Sequence, residues 1–144
     1  MRAGAAGYCL AMSSENVETV ARIYRGWERG DFTVGVGAFA EEAVLILDPE
    51  MPDAGEYVGP GRIRHYMRGF LEAWESLTIA AKSVEDAGDN VLVEVWQSGV
   101  GRDSGAEVAF GYFQLWTFQD GRVTRLESIL HEARAREAAG RSGD

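Results

Sequence analysis

The hydrophobic spacing changes period part-way along the chain, and that change limits the fold more than any single motif does. Val17, Val20, Ile23, Tyr24 and Trp27 recur at spacings of three and four. Ile63, Tyr66, Met67, Phe70, Leu71 and Trp74 do the same. Each set makes one apolar helical face. From Leu77 to His131 the apolar residues alternate instead, as in half-buried strands. Helices followed by a run of strands is an α+β order.

The punctuation between these segments sets their limits. Ser13 or Ser14 is placed to cap the first helix, and Gly30 to end it. A second, shorter helix is expected between Asp31 and Glu42, anchored by Phe39. Val44-Leu45-Ile46-Leu47 reads as a strand. Residues 48–61, DPEMPDAGEYVGPG, hold all three prolines and read as a loop, with Pro60 suited to the first turn of the next helix. Strands are then expected over Leu77–Glu85, Val91–Gly99, Glu107–Phe118 and Arg122–His131. The turns between them fall at Gly88-Asp89-Asn90, at GRDSG (101–105) and at Asp120-Gly121. EARAREAA (132–139) reads as a solvated, charged helix. The expected architecture is a curved antiparallel sheet wrapped around three N-terminal helices, open at one end. Such a mouth suits a small molecule.

Composition removes several classes of function. With 14 Lys and Arg against 23 Asp and Glu, the net charge of −9 disfavours nucleic acid as a partner. One cysteine, Cys9, and two histidines, His65 and His131, leave no Cys-cluster or multi-histidine metal site. No run approaches the ~20 apolar residues of a membrane span, so no membrane partner is expected. MRAGAAGYCLAM (1–12) lacks the unbroken apolar region of a secretory signal, so a cytoplasmic protein is expected. Met12 is the expected native start, or residues 1–12 form a loosely held tail. Residues 13–139 then make one domain, with a second short tail at 140–144.

Five segments carry a resemblance. They are YRGWERGDF (24–32), FAEEAVLILDP (39–49), DAGEYVGPGRIRHYM (53–67), DAGDNVLVEVWQSGVGRDSG (86–105) and FQLWTFQDGRVTRLESIL (113–130). In order and spacing they resemble the SnoaL-like group of the NTF2-like superfamily, which includes ketosteroid isomerase, polyketide cyclases and limonene-epoxide hydrolase. The resemblance implies a cone with an internal chamber, a homodimer, and cofactor-free chemistry on a small apolar or aromatic molecule.

The family's chemistry maps onto this chain unevenly. Proton transfer beside a carbonyl needs a carboxylate base and hydrogen-bond donors for the developing oxyanion. The isomerase base position falls on Asp48 of Asp48-Pro49, one residue further from FAEEA than the pattern, a slip that shifts strand alternation by one. The oxyanion tyrosine position falls on Ile23, with Tyr24 beside it. The second acid position falls on Gln114. The epoxide-hydrolase positions fall on Val95, Gln97 and Ser128, none of which is a base, so that reaction is disfavoured. Asp48, Gln114 and Tyr24 are therefore the catalytic candidates.

Strand alternation, with Gln114 turned inward, places Phe110, Tyr112, Trp116, Leu126, Ser128 and Leu130 in the cone. Trp27, Ile46, Met67, Phe70, Phe110, Tyr112, Trp116 and Ser128 are the expected ligand contacts. Ala109, Gly111, Phe113 and Leu115 fall on the outer face with Trp96, where a second subunit would pack. An isomerase or aldol cyclase, a non-catalytic carrier or sensor, and an assembly module using the outer face all fit this pattern.

Overall fold

A computed structural model describes residues 3–142, with side chains over 14–140. Helix α1 spans Ala3–Glu28, and a 3-10 turn follows at Val36–Ala38. Strands β1 (Phe39–Leu47) and β2 (Gly55–Val58) precede helix α2 (Pro60–Glu72). Strands β3 (Trp74–Ala87), β4 (Asn90–Gly101), β5 (Glu107–Gln119) and β6 (Arg122–Ile129) follow, and helix α3 (Glu132–Ser142) closes the chain. The sheet order is β2-β1-β6-β5-β4-β3. The four-strand meander is antiparallel throughout, and β1 joins it parallel to β6, so the sheet is mixed.

The meander and the two amphipathic helices follow their sequence patterns, except that α2 ends at Glu72 and Trp74, read on its apolar face, begins β3. Val20, Ile23, Tyr24 and Trp27 of α1 are buried, with α1 laid mainly against β3. Val91, Val93 and Val95 are fully buried on the inner face of β4, opposite Trp116, Gln114 and Tyr112 of β5. No helix among the described residues is long and apolar enough to cross a membrane.

Four expectations need correction. The helix expected over 31–42 is a 3-10 turn that runs straight into β1. Gly30 and Gly35 both take positive φ there, and a Cβ on Gly35 would lie 2.7 Å from the Ile23 side chain. The chain thus needs glycine where a helix would need Cβ-bearing residues. Only two α-helices therefore precede the meander, and the third comes after it. The 48–61 loop contains the short edge strand β2, whose Val58 and Tyr57 pair with Val44 and Leu45. Flanking glycines and prolines mask so short a strand. Helix α1 begins at Ala3 rather than at Ser13 or Ser14, which lie within it; the Ala-rich stretch 3–12 favours helix. The side chain of Cys9 lies outside those described.

The fourth correction concerns α3. Its charged residues conceal a stripe of Ala135, Ala138 and Ala139, buried against Leu92, Phe113, Leu115 and Ile129 on the outer sheet face. Asn90 Nδ2 donates to the Ala139 carbonyl at 3.2 Å, and Arg136 pairs with Glu85 at 3.0 Å. The helix thus covers the Phe113–Leu115 surface expected to receive a second subunit. The exposed remainder of that face centres on Trp96, 43% accessible, and Gly111.

Gly99 tests the curvature of the sheet. It lies in β4 opposite Leu77, next to a register shift in β3. A Cβ there would sit 2.3 Å from the Ser76 carbonyl oxygen and 2.9 Å from the Trp74 ring. Backbone cannot swing aside as a side-chain end can, so Gly99→Ala is expected to cost about 1–3 kcal/mol in urea-unfolding stability. An unchanged midpoint would mean that the strands part there without strain.

Candidate functional site

Helix α2, the inner sheet face and the 32–36 segment enclose a chamber of about 880 Å³. That volume is in the range of small-molecule sites. Ile63, Tyr66, Met67 and Phe70 form one wall because three- and four-residue spacing aligns them along α2. Phe110, Tyr112, Gln114, Leu126 and Ser128 form the facing wall, and Leu45 and Leu47 of β1 close one side. Trp27 and Phe32 bound the end beside α1. Aromatic rings run in contact along α2, from Tyr57 to Tyr66 (4.7 Å between centroids), Phe70 and Trp74 (6.0 Å each). Phe110 stacks on Tyr112 at 5.4 Å across the chamber wall.

Seven of the eleven candidate side chains line this chamber: Trp27, Met67, Phe70, Phe110, Tyr112, Gln114 and Ser128. Tyr24 and Trp116 lie one layer behind, packed ring edge to ring at 5.9 Å. The Tyr24 hydroxyl donates to Gln114 Oε1 and accepts from Trp116 Nε1. Gln114 Nε2 donates in turn to Ser128 Oγ at 3.2 Å. Burial pushes the Tyr24 phenol well above its ordinary pKa, so it stays a neutral hydroxyl. Its geometry makes it a support that orients the Gln114 amide.

Asp48 and Ile46 turn the other way. In β1 the inward residues are Leu45 and Leu47, opposite Leu126 and Ser128 of β6, and alternation sends Ile46 and Asp48 to the outer side. The additional residue after FAEEA produces that parity. Asp48 is buried all the same, its side chain 1% exposed. It accepts from the backbone N–H of Leu130 at 2.8 Å and of Glu50 at 2.9 Å, and pairs with Arg134 of α3 at 3.0 Å. Burial alone would raise its pKa; the two N–H donors and Arg134 outweigh that and hold it below the usual carboxylate range. Asp48 fastens the C-terminal helix to the sheet and does not line the chamber.

Among the described residues, the carboxylate that does line the chamber is Asp53, from the loop before β2. It accepts a hydrogen bond from the Tyr66 hydroxyl. Burial and the Asp53 charge together raise the Tyr66 pKa strongly. Burial first, and then Asp53, raise that of Tyr112. The Tyr112 hydroxyl donates to Gln97 Oε1 at 2.8 Å, and Gln97 also lines the chamber. Sequence reasoning missed Asp53 and Tyr66 as polar chamber groups, and placed Gln97 only at an epoxide-hydrolase position. Tyr66 was legible as part of the α2 face. Asp53 shares an irregular loop with Asp48 and Glu50, where no period tells which carboxylate turns inward.

A curved sheet folded over helices around an apolar chamber is the NTF2-like fold. The sequence profile of the SnoaL-like domain matches residues 20–126, and the chain belongs to that family. Among solved structures, an NTF2-like protein from Burkholderia thailandensis shares 23% identity at a TM-score of 0.73, over 85% of this chain and 95% of that one. A candidate SnoaL-like polyketide cyclase from Jannaschia shares 22% at 0.70, over 88% and 92%. TerC, co-crystallised with polyporic acid, shares 19% at 0.70, over 87% and 98%. No curated protein matches the chain significantly.

Proposed function

We propose that this protein binds a small, flat, largely apolar molecule in the chamber and moves a proton next to a carbonyl group of it, without a cofactor. The observation that carries the reading is an aromatic-walled cavity whose inner polar groups are few: Asp53 with Tyr66, Tyr112 with Gln97, and Gln114 with Ser128. In such a site one carboxylate takes the proton while neutral donors hold the developing oxygen anion. Asp53 takes the role first expected of Asp48. Tyr112 and Gln114, which line the same chamber, are the donors, since burial keeps Tyr112 protonated. TerC's complex with polyporic acid adds support for a small-molecule ligand.

A non-catalytic carrier is the second reading. It is favoured by the commitment of the Gln114 amide to Tyr24 and Ser128, which leaves fewer donors for an oxyanion. The two separate on 2-tetralone, an aromatic ketone with exchangeable protons beside its carbonyl. In D2O the wild type is expected to speed their loss, followed by proton NMR, and Asp53→Asn to lower that rate at least about tenfold. Binding with exchange no faster than in buffer favours the carrier.

The reading extends to a homodimer through what α3 leaves open of the outer face, around Trp96 and Gly111. Light scattering is expected to give twice 15.7 kDa for the wild type and 15.7 kDa for Trp96→Glu. A monomeric wild type at micromolar concentration contradicts it.

A further inference from the structure

Helix α2 carries Arg62, Arg64, His65 and Arg68 within seven residues, on a chain whose net charge is −9. Two of them, Arg64 and Arg68, line the chamber while remaining exposed, which places them at its rim. Neither makes an ion pair within 4.0 Å among the described residues. The placement is unfavourable for the helix itself. Like charges four residues apart repel on one face, and cations near a helix N-terminus oppose the macrodipole. The first turn contains no acidic residue to offset this. The nearest acidic group on the chamber wall, Asp53, is bonded to Tyr66 on the same helix.

We propose that Arg64 and Arg68 take the anionic head of the ligand, a carboxylate, whose aromatic body lies along Tyr66, Met67 and Phe70. The inference rests on the chamber being a ligand site and narrows its substrate class to aromatic acids. An arginine pair at the chamber rim suits a carboxylate because each guanidinium can donate two parallel N–H groups to its oxygens. Apolar contact in the chamber supplies the affinity common to acid and neutral analogue, and the arginines supply the difference between them.

The test compares anthracene-2-carboxylate with anthracene-2-carboxamide, titrated by fluorescence into wild type and into Arg64→Gln/Arg68→Gln. Both substitutions are at exposed positions, and circular dichroism checks that the variant is folded. The acid is expected to bind wild type about tenfold more tightly than the amide at low salt, and the preference to shrink as salt rises. In the double variant the preference disappears while the amide binds as before. Equal binding of acid and amide to wild type, or a preference that survives in the variant, overturns the head-group assignment and leaves the chamber intact. If neither probe binds, the chamber reading fails, and this inference with it.

Discussion

Asp48→Ala is expected to cost about 2–4 kcal/mol of unfolding free energy while leaving ligand binding in the chamber unchanged. The substitution strands two backbone N–H groups, each worth about 1–3 kcal/mol when orphaned, while Arg134 keeps its second carboxylate partner, Glu50 at 3.3 Å. Asp48→Asn keeps part of this bonding and isolates the charge. Because the fold lowers the Asp48 pKa, ionisation stabilises the native state above the unfolded value of about 3.9. That contribution fades as the pH falls through the lower, native-state value. The stability gap between wild type and Asp48→Asn is therefore expected to be full at neutral pH and to close below about pH 4. Urea melts across that range measure it. A gap that widens in acid, or a variant that unfolds as wild type does but loses binding, would return Asp48 to the chamber's chemistry.

Tyr24→Phe carries the second large effect, since it deletes one oxygen and nothing else. Tyr24 is 1% exposed and Trp116 fully buried, so the loss leaves Gln114 Oε1 and Trp116 Nε1 unpartnered in the core. Each orphaned buried group costs about 1–3 kcal/mol, which sums to a loss of about 2–6 kcal/mol. The Gln114 amide also loses the contact that fixes its orientation, so ligand affinity is expected to fall with stability. A loss under about 1 kcal/mol with unchanged affinity would show that the Tyr24 hydroxyl neither supports the core nor orients the amide.

These two residues illustrate what could be read before any coordinates. Tyr24 was legible as buried, because it sits on a helical face with Val20, Ile23 and Trp27, and helical spacing alone fixes that face. The α2 wall was legible on the same ground. So was the inner sheet wall, since alternation through Phe110, Tyr112 and Gln114 runs unbroken along β5. Asp48 was legible as a residue but not as a direction: one inserted residue reverses a strand's facing, and only the pairing with β6 reveals it. Asp53 lay beyond any periodic argument because its loop has no period. Helix α3 misled in the opposite way. Its arginines and glutamates suggest a solvated helix, while three alanines suffice to bury one side of it against Phe113 and Leu115.

In the proposed function the chamber between α2 and the sheet holds the ligand. Met51 and Met67 both line it, so their methyl groups report on any aromatic ring that enters. Protein labelled with 13C at the methionine methyls is titrated with anthracene-2-carboxamide and followed by NMR. Ring currents are expected to move the Met51 and Met67 signals in step with the fluorescence-detected binding. Saturable binding that leaves both signals in place would put the ligand elsewhere on the protein and leave the chamber without its proposed role.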